Sequence, residues 1–388
     1  MKPLQQISES QSDRLKEFLE TMLQKLTSRK HVKHAIIGVE SGDRSFHWIG
    51  VAGDASADGT LMHSTTPFMI ASVTKLFIAA SILKLYEQNK LSLDKPIFEY
   101  LPESMVGKLH VLDGTDYSSQ ITVRHLLSHT TGLPDWLEDK PKGGKALLDQ
   151  IEGLDDRLIS ITEAVEYVKE NLTPHFPPRS FDRKKIKIRY SDTNFQLLMA
   201  ILEQVMSRPI HQVFDLLIYR PLNLNNTFHP GHQPSHLTIK TADTWIYDNP
   251  FTQPLWFQSF RDLYSTADDL LYFIRAIFQH EFFQHRETLE LIQTWNKFGF
   301  PRDFAGLRQP NWPIEYGLGM MRFKMPRLFT PFKPVPALLG HTGVSGSWLF
   351  YCPDFDLYLS GTVNQITEAP LPFRFLPKVL QKIDAILD

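Results

Sequence analysis

A serine stands at the head of the most apolar helix-forming run in the chain. From Leu76 to Leu83 nearly every residue is apolar, and the run contains neither Pro nor Gly. A helix that is apolar on all sides belongs in a protein interior. We therefore expect a buried helix with Ser72 near its N-terminus, and this helix is the feature around which the chain is organised.

Lys75 follows Ser72 at a spacing that puts both side chains on one helix face. The N-terminus of a helix offers free N–H groups that favour negative charge on a reacting oxygen. A serine hydroxyl needs a neighbour to take its proton, and a lysine can do so when burial destabilises its ammonium form. The S-x-x-K pair fits a nucleophile with its base, and it also fits a Ser N-cap followed by a solvent-reaching lysine.

Chain length and net charge limit the class of protein to which this sequence can belong. A chain of 388 residues holds one large or two moderate domains. Its net charge of −2 argues against a nucleic-acid-binding protein, and the short basic run 183–185 fits a solvated loop.

Targeting signals and cysteine content suggest where the protein works. Residues 1–8 lack the apolar segment of a signal peptide, and no stretch is long and apolar enough to span a bilayer. Cys352 is the only cysteine, which excludes an internal disulfide and fits a reducing compartment. We expect a cytoplasmic protein without a membrane span.

Hydrophobic periodicity outlines the first elements. Apolar residues within 15–26 recur at helical spacing, and Ser10 or Ser12 could cap this helix. Segments 34–40 and 45–51 flank a turn and predict a β-hairpin.

The rest of the chain separates into a helical part and a strand-rich part. From 89 to 236, helical periods alternate with Pro- and Gly-rich connections, and no convincing strand pairs appear. Segments 338–343, 347–352 and 357–363 then predict an antiparallel meander, and a last helix is expected to start near Pro377.

This order of elements predicts an α+β fold. We expect an antiparallel β-sheet flanked by the N- and C-terminal helices, formed by residues 1–88 and 237–388. Residues 89–236 would form a mostly helical inserted domain, with the functional site in the cleft between the two.

Tyr190-Ser191-Asp192 closes a loop just before a helical run. A phenol near a lysine ammonium would have a depressed pKa and could act as a general base or proton shuttle. The same residues also fit a buried tyrosine followed by a helix N-cap. Read one residue later, 191–193 resembles a degraded S-D-N motif, but we adopt the tyrosine register because the other motifs agree with it.

His341-Thr342-Gly343 lies at a strand end. Gly343 and Gly346 would let another backbone approach closely. An extended backbone there could offer an N–H to a substrate oxygen, and the side chains of Thr342 and His341 could hydrogen-bond it. Alone, the motif also fits an ordinary edge strand.

Together the three motifs resemble the S-x-x-K, S-D-N or Y-x-N, and K-T-G set of serine β-lactamases and penicillin-binding proteins. The similarity is greatest to the class C β-lactamase-like branch, which also holds D-alanyl-D-alanine carboxypeptidases, D-aminopeptidases and lactamase-type esterases. The runs 121–134, 264–270 and 316–320 are similar to further signatures of that branch.

The resemblance implies a role for each matching residue. Ser72 would be the acylated nucleophile, and Lys75 and Tyr190 would share its proton and later activate water. The N–H groups of Ser72 and Val344 would form the oxyanion hole. No metal or cofactor is implied, and the substrate would be a small ester, amide or short peptide. The expected substrate-site residues are Asp192, His341, Thr342, Gly343 and Val344.

Two residues depart from the family pattern. His341 replaces the usual lysine, so a fixed positive charge for a substrate carboxylate is lost or becomes pH-dependent. This replacement favours esters or amides over β-lactams. Asp192 replaces the usual asparagine, and an anion near Lys75 favours its ammonium form and shifts the base role to Tyr190.

Histidine spacing leaves a metal site as a weaker alternative. His125 and His129 are spaced like helical zinc ligands, but the expected glutamate and a third ligand are missing. His229, His232 and His236 lie around a Pro-Gly pair and fit a surface loop.

The sequence therefore predicts a serine hydrolase that acts through a Ser72 acyl-enzyme on esters or amides, including peptides. A true β-lactamase, or a penicillin-binding carboxypeptidase, is the alternative within the family. A binding or sensor protein that keeps the fold without turnover is the alternative from another class. Loops 135–157 and 238–262 are expected to determine the substrate, and the oligomeric state is not indicated.

Overall fold

An eight-stranded antiparallel sheet forms the centre of the molecule, which we describe from a computed structural model. The structure describes residues 3–5, 7–179, 187–298, 314–325 and 334–387. The strand order is β2-β1-β14-β13-β12-β11-β10-β9. These strands are β1 (His34–Ser41), β2 (His47–Gly53), β9 (Asn296–Lys297), β10 (Ile314–Tyr316), β11 (Met321–Phe323), β12 (Leu338–Thr342), β13 (Trp348–Cys352) and β14 (Leu357–Thr362).

Helices and short strand pairs complete the described chain. Three two-stranded pairs join β3 (Phe68–Met69) to β8 (Tyr264–Ser265), β4 (Val111–Leu112) to β5 (Thr115–Asp116), and β6 (Trp245–Ile246) to β7 (Asn249–Pro250). The helices are α1 (Glu9–Thr27), α2 (Thr74–Glu87), α3 (Glu103–Val106), α4 (Val123–Leu127), α5 (Ile161–Asn171), α6 (Asp192–Met206), α7 (Ile210–Phe214), α8 (Arg220–Leu222), α9 (Pro254–Phe260), α10 (Ala267–Phe278), α11 (Arg286–Ile292) and α12 (Leu371–Leu387).

The two ends of the chain meet in this sheet. β1 pairs with β2 as the predicted hairpin, and it also pairs with β14 with Ile36 opposite Thr362. β12, β13 and β14 form the predicted meander. The hairpin and the meander are therefore confirmed, and they are neighbours in one sheet.

The sheet separates two apolar layers because successive strand residues face opposite sides. Ile37 packs with residues of α1 and α12, as predicted for the terminal helices. Its neighbour Ile36 packs on the other side, in a core that includes α2, α10 and the helices of the 89–236 region. This layer is continuous from the sheet to the helical region, and the division into two domains stays a prediction.

Some element boundaries differ from the predictions. Ser8, and not Ser10 or Ser12, caps α1, because it forms a reciprocal capping box with Gln11. α12 already begins at Leu371 and contains Pro377. Leu371 is buried in the core ahead of the proline, so packing extends the helix beyond the sequence signal.

In its described residues, the 89–236 region contains one strand pair, β4 with β5, in addition to its helices. Each strand of this pair is two residues long, which is too short to leave a period in the sequence. Within the described ranges, no helix has the length and apolar character required to cross a membrane.

Candidate active site

Ser72 lies in a single 3₁₀ turn, Ala71–Val73, that leads directly into α2. Ala71 has a φ of +46°, a left-handed conformation that residues with a Cβ adopt only at some cost. The turn is fixed to the sheet, because the Ser347 hydroxyl donates to the Ile70 carbonyl at 2.7 Å. The candidate nucleophile is thus held in a strained turn at the edge of β12.

Gly343 makes this close approach of turn and strand feasible. A Cβ at this position would lie 2.6 Å from the Ile70 carbonyl oxygen and 2.8 Å from the Cβ of Ala71. The prediction that another backbone approaches this glycine is confirmed.

Lys75 is buried and contacts Ser72 directly. Its Nζ donates to the Ser72 Oγ at 2.9 Å and forms an ion pair with the carboxylate of Asp192. The rings of Tyr190 and Phe195 lie 5.0 and 5.4 Å from the Nζ, within range of cation–π attraction. The ammonium is therefore held between one carboxylate, one hydroxyl and two aromatic rings.

Tyr190 completes the cluster. It lies in the segment that leads into α6, and the neighbouring Ser72 side chain lowers the pKa of its hydroxyl, against the larger effect of burial. The structure thus brings together the three residues that the sequence motifs singled out, Ser72, Lys75 and Tyr190.

A buried aspartate that the sequence analysis missed positions Asp192. Asp135 accepts the backbone N–H of Asp192 at 2.6 Å and also those of Leu137 and Glu138. These bonds tie the start of α6 to the preceding loop. Asp135 falls within a loop that was expected to determine the substrate, but no motif marks it.

The electrostatic surroundings keep Lys75 protonated. Burial lowers its pKa, but the carboxylates of Asp192 and Asp262 outweigh burial and raise the pKa above its ordinary value. The prediction that Asp192 favours the ammonium form is confirmed. Burial alone does not make Lys75 a free base.

The pKa of Tyr190 is raised well above its ordinary value, so the prediction of a depressed pKa is wrong. Burial is the main cause, and the negative charge of Asp192 adds to it. The phenol is neutral in the resting site, and it can move a proton only by accepting one while releasing its own.

Asp262 is a second carboxylate that the sequence analysis did not select. Burial raises its pKa to about 7, against the opposing charge of Lys75. The Thr74 hydroxyl bonds to this carboxylate and accepts the N–H of Leu263 at 2.9 Å. Its sequence signals are its place at the end of loop 238–262, which was expected to determine the substrate, and just before the family-like run 264–270.

A cavity of about 330 Å³ opens over Ser72. Thr342, Gly343 and Val344 line it, as expected of substrate-site residues. In the described part of the chain, no group accepts the N–H of Val344, which is therefore available to a ligand. The apolar wall consists of Ile78, Trp136, Leu137, Leu148, Phe195, Met199, Phe260, Ile314, Met321, Phe323, Val344, Pro370 and Phe373.

His341 does not line this cavity, contrary to expectation. Its ring is completely buried, and burial lowers its pKa to about 3. Its Nε2 lies 3.1 Å from the hydroxyl of Tyr316. The histidine therefore supplies no pH-dependent positive charge to a substrate.

Three of the other histidines have structural partners, whereas His229 is buried, contrary to the prediction of a surface loop, and neither of its ring nitrogens has a hydrogen-bond partner among the described residues. His125 takes part in the N-cap of α4, and His129 accepts the N–H of Ser191 at 3.2 Å. His236 contacts the Asn225 carbonyl. Among the described residues, no three side chains are grouped as a metal site would require. The basic run 183–185 lies outside the described residues.

Two of the curated proteins that are similar in sequence to this chain are an esterase and a carboxypeptidase. Esterase EstB of Burkholderia gladioli is 26% identical over 223 residues, which cover 57% of this chain and 53% of EstB. The D-alanyl-D-alanine-carboxypeptidase/endopeptidase AmpH of Escherichia coli K12 is 24% identical over 307 residues, covering 78% of this chain and 71% of AmpH. The chain thus spans about half the length of EstB.

A solved structure shows the same fold. The D-amino acid amidase of Ochrobactrum anthropi SV3, complexed with L-phenylalanine amide, superposes with a TM-score of 0.73 at 19% identity. The superposition covers 97% of this chain and all of the amidase chain.

The sheet, the helices and the S-x-x-K turn together define a protein of the β-lactamase/transpeptidase class. A family model described as Beta-lactamase matches residues 20–373, so the chain belongs to the beta-lactamase family. This family of hydrolases includes esterases, amidases and peptidases among the relatives of the chain, and the predicted resemblance is confirmed.

Proposed function

We propose that the protein is a serine hydrolase that forms an acyl-enzyme on Ser72 and acts on esters or amides, including short peptides. One observation carries the proposal. The Ser72 hydroxyl contacts both the Lys75 Nζ, at 2.9 Å, and the Tyr190 hydroxyl, at the edge of a ligand-sized apolar cavity.

Proton transfer in this proposal runs through Tyr190. As Ser72 attacks the carbonyl carbon, its proton passes to the Tyr190 oxygen, and the Tyr190 proton passes to the departing oxygen or nitrogen. The carbonyl–leaving-group bond breaks and the acyl–Ser72 bond forms. Lys75 stays an ammonium and stabilises the negative charge that develops on the serine oxygen.

Hydrolysis of the acyl-enzyme reverses this transfer. A water molecule attacks the acyl carbon and gives its proton to Tyr190, while Tyr190 returns a proton to Ser72. In both steps the N–H groups of Ser72 and Val344 would hold the carbonyl oxygen, an interaction worth about 3–4 kcal/mol per donor in related sites.

The charges of the cavity support neutral esters and amides. His341 is buried and neutral, and Asp192 and Asp262 face the ammonium of Lys75. Beside Ser72 the ammonium of Lys75 is already paired with Asp192, so it offers little net positive charge to a substrate carboxylate. This arrangement favours esterase or amidase activity over β-lactam hydrolysis.

A penicillin-binding carboxypeptidase is the second candidate, because Arg374 lies on the cavity rim. The residue is exposed and lines the same cavity. Its guanidinium could pair with the carboxylate of a peptide C-terminus.

The proposal is tested by measuring turnover of p-nitrophenyl esters, D-amino-acid amides, a D-alanyl-D-alanine peptide and a cephalosporin. We expect steady turnover of an ester or amide by the wild type and none by Ser72→Ala, with a nearly unchanged thermal melt. Ser81→Ala is the matched control, because Ser81 lies buried in α2, the helix that follows the Ser72 turn, and its hydroxyl has no partner in the described structure. Retained activity in Ser72→Ala would remove Ser72 from its role.

A further inference from the structure

Two buried residues of the sheet, Tyr316 and His341, have no role in the mechanism above. Tyr316 lies on β10 and His341 on β12, and both are 0% exposed. Their side chains meet between the Tyr316 Oη and the His341 Nε2 at 3.1 Å. Neither lines the cavity, so neither touches a substrate there.

The direction of this hydrogen bond follows from the second ring nitrogen. The His341 Nδ1 lies 2.7 Å from the Thr342 carbonyl oxygen, which can only accept a hydrogen bond. The Nδ1 therefore carries the hydrogen of the neutral ring. The Nε2 keeps its lone pair and accepts the O–H of Tyr316, which fixes the orientation of the phenol.

Tyr316 in turn packs against Tyr190. Their ring centroids lie 6.2 Å apart at 81°, an edge-to-face contact. His129 lies between them, 4.5 Å from Tyr190 and 4.6 Å from Tyr316, and His341 lies 6.2 Å from Tyr190. Three rings therefore surround part of the Tyr190 ring. We call these three residues, His129, Tyr316 and His341, the ring cage.

We propose that Tyr316 and His341 are positioning residues that hold the Tyr190 oxygen at Ser72 through the ring cage. The inference rests on the proposed function of Ser72. In this inference His341, the histidine of the third motif, orients Tyr316.

The charged groups around the pair set the expectation for a lysine at position 341. Lys75 on α2 and Asp192 on α6 lie within electrostatic range of Tyr316, and Lys75 also acts on His341. The other titratable groups that face the pair are Tyr190 and His129. A lysine at position 341 would place a second buried ammonium near Lys75, without a free carboxylate to pair with it. It would also remove the nitrogen that accepts the hydrogen bond of the Tyr316 hydroxyl.

The experiment measures the rate at which a fluorophosphonate labels Ser72, together with kcat and KM for two esters that differ by one carboxylate. We expect Tyr316→Phe to lower the labelling rate and kcat by about 10- to 100-fold, with KM within about two-fold, because misplacing a reacting group costs this much. His341→Gln, which keeps an acceptor oxygen, should stay close to the wild type. His341→Lys should lose activity equally on both esters.

A double-mutant cycle separates positioning from general destabilisation. On a Tyr190→Phe background, the further change Tyr316→Phe should have no additional effect on labelling, because the residue acts only through Tyr190. Tyr316→Phe preserves the ring and its packing. The cycle can therefore be interpreted even if a variant at position 341 does not fold.

Two results would overturn the inference. One is a wild-type labelling rate in Tyr316→Phe, or an equal loss on the Tyr190→Phe background. The other is a His341→Lys protein with a selectively lower KM for the carboxylate-bearing ester, which would put position 341 in contact with the substrate. Failure of the proposed function looks different: the wild type itself would then turn over neither ester.

Discussion

At the scale of single residues, the ion pair of Lys75 with Asp192 decides which group moves protons. Asp192 and Asp262 hold Lys75 in its ammonium form, although burial alone would favour the amine. Tyr190 is a neutral phenol beside the same serine. In the proposed mechanism, Tyr190 therefore acts as a proton shuttle next to a fixed cation, and Lys75 does not act as a free amine base.

Asp192→Asn, which restores the residue usual in the family, tests this view. Removing the carboxylate takes away the largest influence that raises the pKa of Lys75. Because the mechanism needs the ammonium, the alkaline decline of kcat/KM should move to lower pH in the variant. Profiles of wild type and variant between about pH 6 and 10.5 measure this shift. An unchanged alkaline decline of kcat/KM would show that deprotonation of Lys75 does not cause it.

Residue spacing predicted the cluster of Ser72, Lys75 and Tyr190 but not its electrostatics. Asp135 and Asp262 were missed because each reaches the site from a loop whose path depends on tertiary packing. The pKa of Tyr190 was predicted with the wrong sign, because burial and Asp192 outweigh the nearby ammonium.

At the scale of elements, the junction between the Ser72 turn and β12 positions the atoms to which we assign catalytic roles. The Ser345 hydroxyl donates to the Met69 carbonyl at 3.0 Å, and the Ser347 hydroxyl donates to that of Ile70. Gly343 lets the two backbones meet. The position of the proposed oxyanion donors thus depends on how closely the turn and the strand approach.

Gly343→Ala should lower kcat by about 10- to 100-fold, because the added Cβ would displace the turn or the strand by a fraction of an ångström. The matched control is Gly153→Ala, where a Cβ meets no atom within 4 Å and activity should not change. Initial rates on one ester, with thermal melts of both variants, give the comparison. Equal activities of the two variants would contradict the role of this junction.

Periodicity predicted the longer elements and missed the short ones. The hairpin of β1 and β2 and the meander of β12 to β14 consist of segments five to eight residues long that are separated by clear turn signals. β9, β10 and β11 have two or three residues each, too few for a period. Their pairing with one another and, through β11, with β12 follows from the tertiary fold.

At the scale of the whole molecule, buried carboxylates link stability to pH. The pKa of Asp262 is about 7 in the folded protein, and that of Asp135 is also raised to about 7 by burial and by the charge of Asp192. Folding therefore binds protons between about pH 4 and 7 at these groups. Their contribution to stability is present below about pH 4 and is lost as the pH rises through about 7.

Asp262→Asn should stabilise the protein more at pH 8 than at pH 5, since the amide does not ionise. Allowing for partial exposure, the difference should be on the order of 2 kcal/mol in the free energy of unfolding. Denaturant unfolding at both pH values measures it, and Asp13→Asn on the exposed surface of α1 is the control. A gain that is equal at the two pH values would contradict the linkage.

The family and the α+β architecture were predictable from the sequence because three short motifs and a few long elements carry them. Substrate choice was not predictable from the sequence, because the residues that line the cavity come from loops, α2, α6, the sheet and α12. Their common surface exists only once the chain has folded.

The most direct test of the central claim is mass spectrometry of the acid-quenched protein during turnover of an ester. We predict a covalent acyl group on the tryptic peptide 45–75, at Ser72, that disappears when the substrate is exhausted. Turnover without any modification of that peptide, or an acyl group on another residue, would contradict the account. An acyl group that forms on Ser72 and never leaves would instead identify a sensor that keeps the fold.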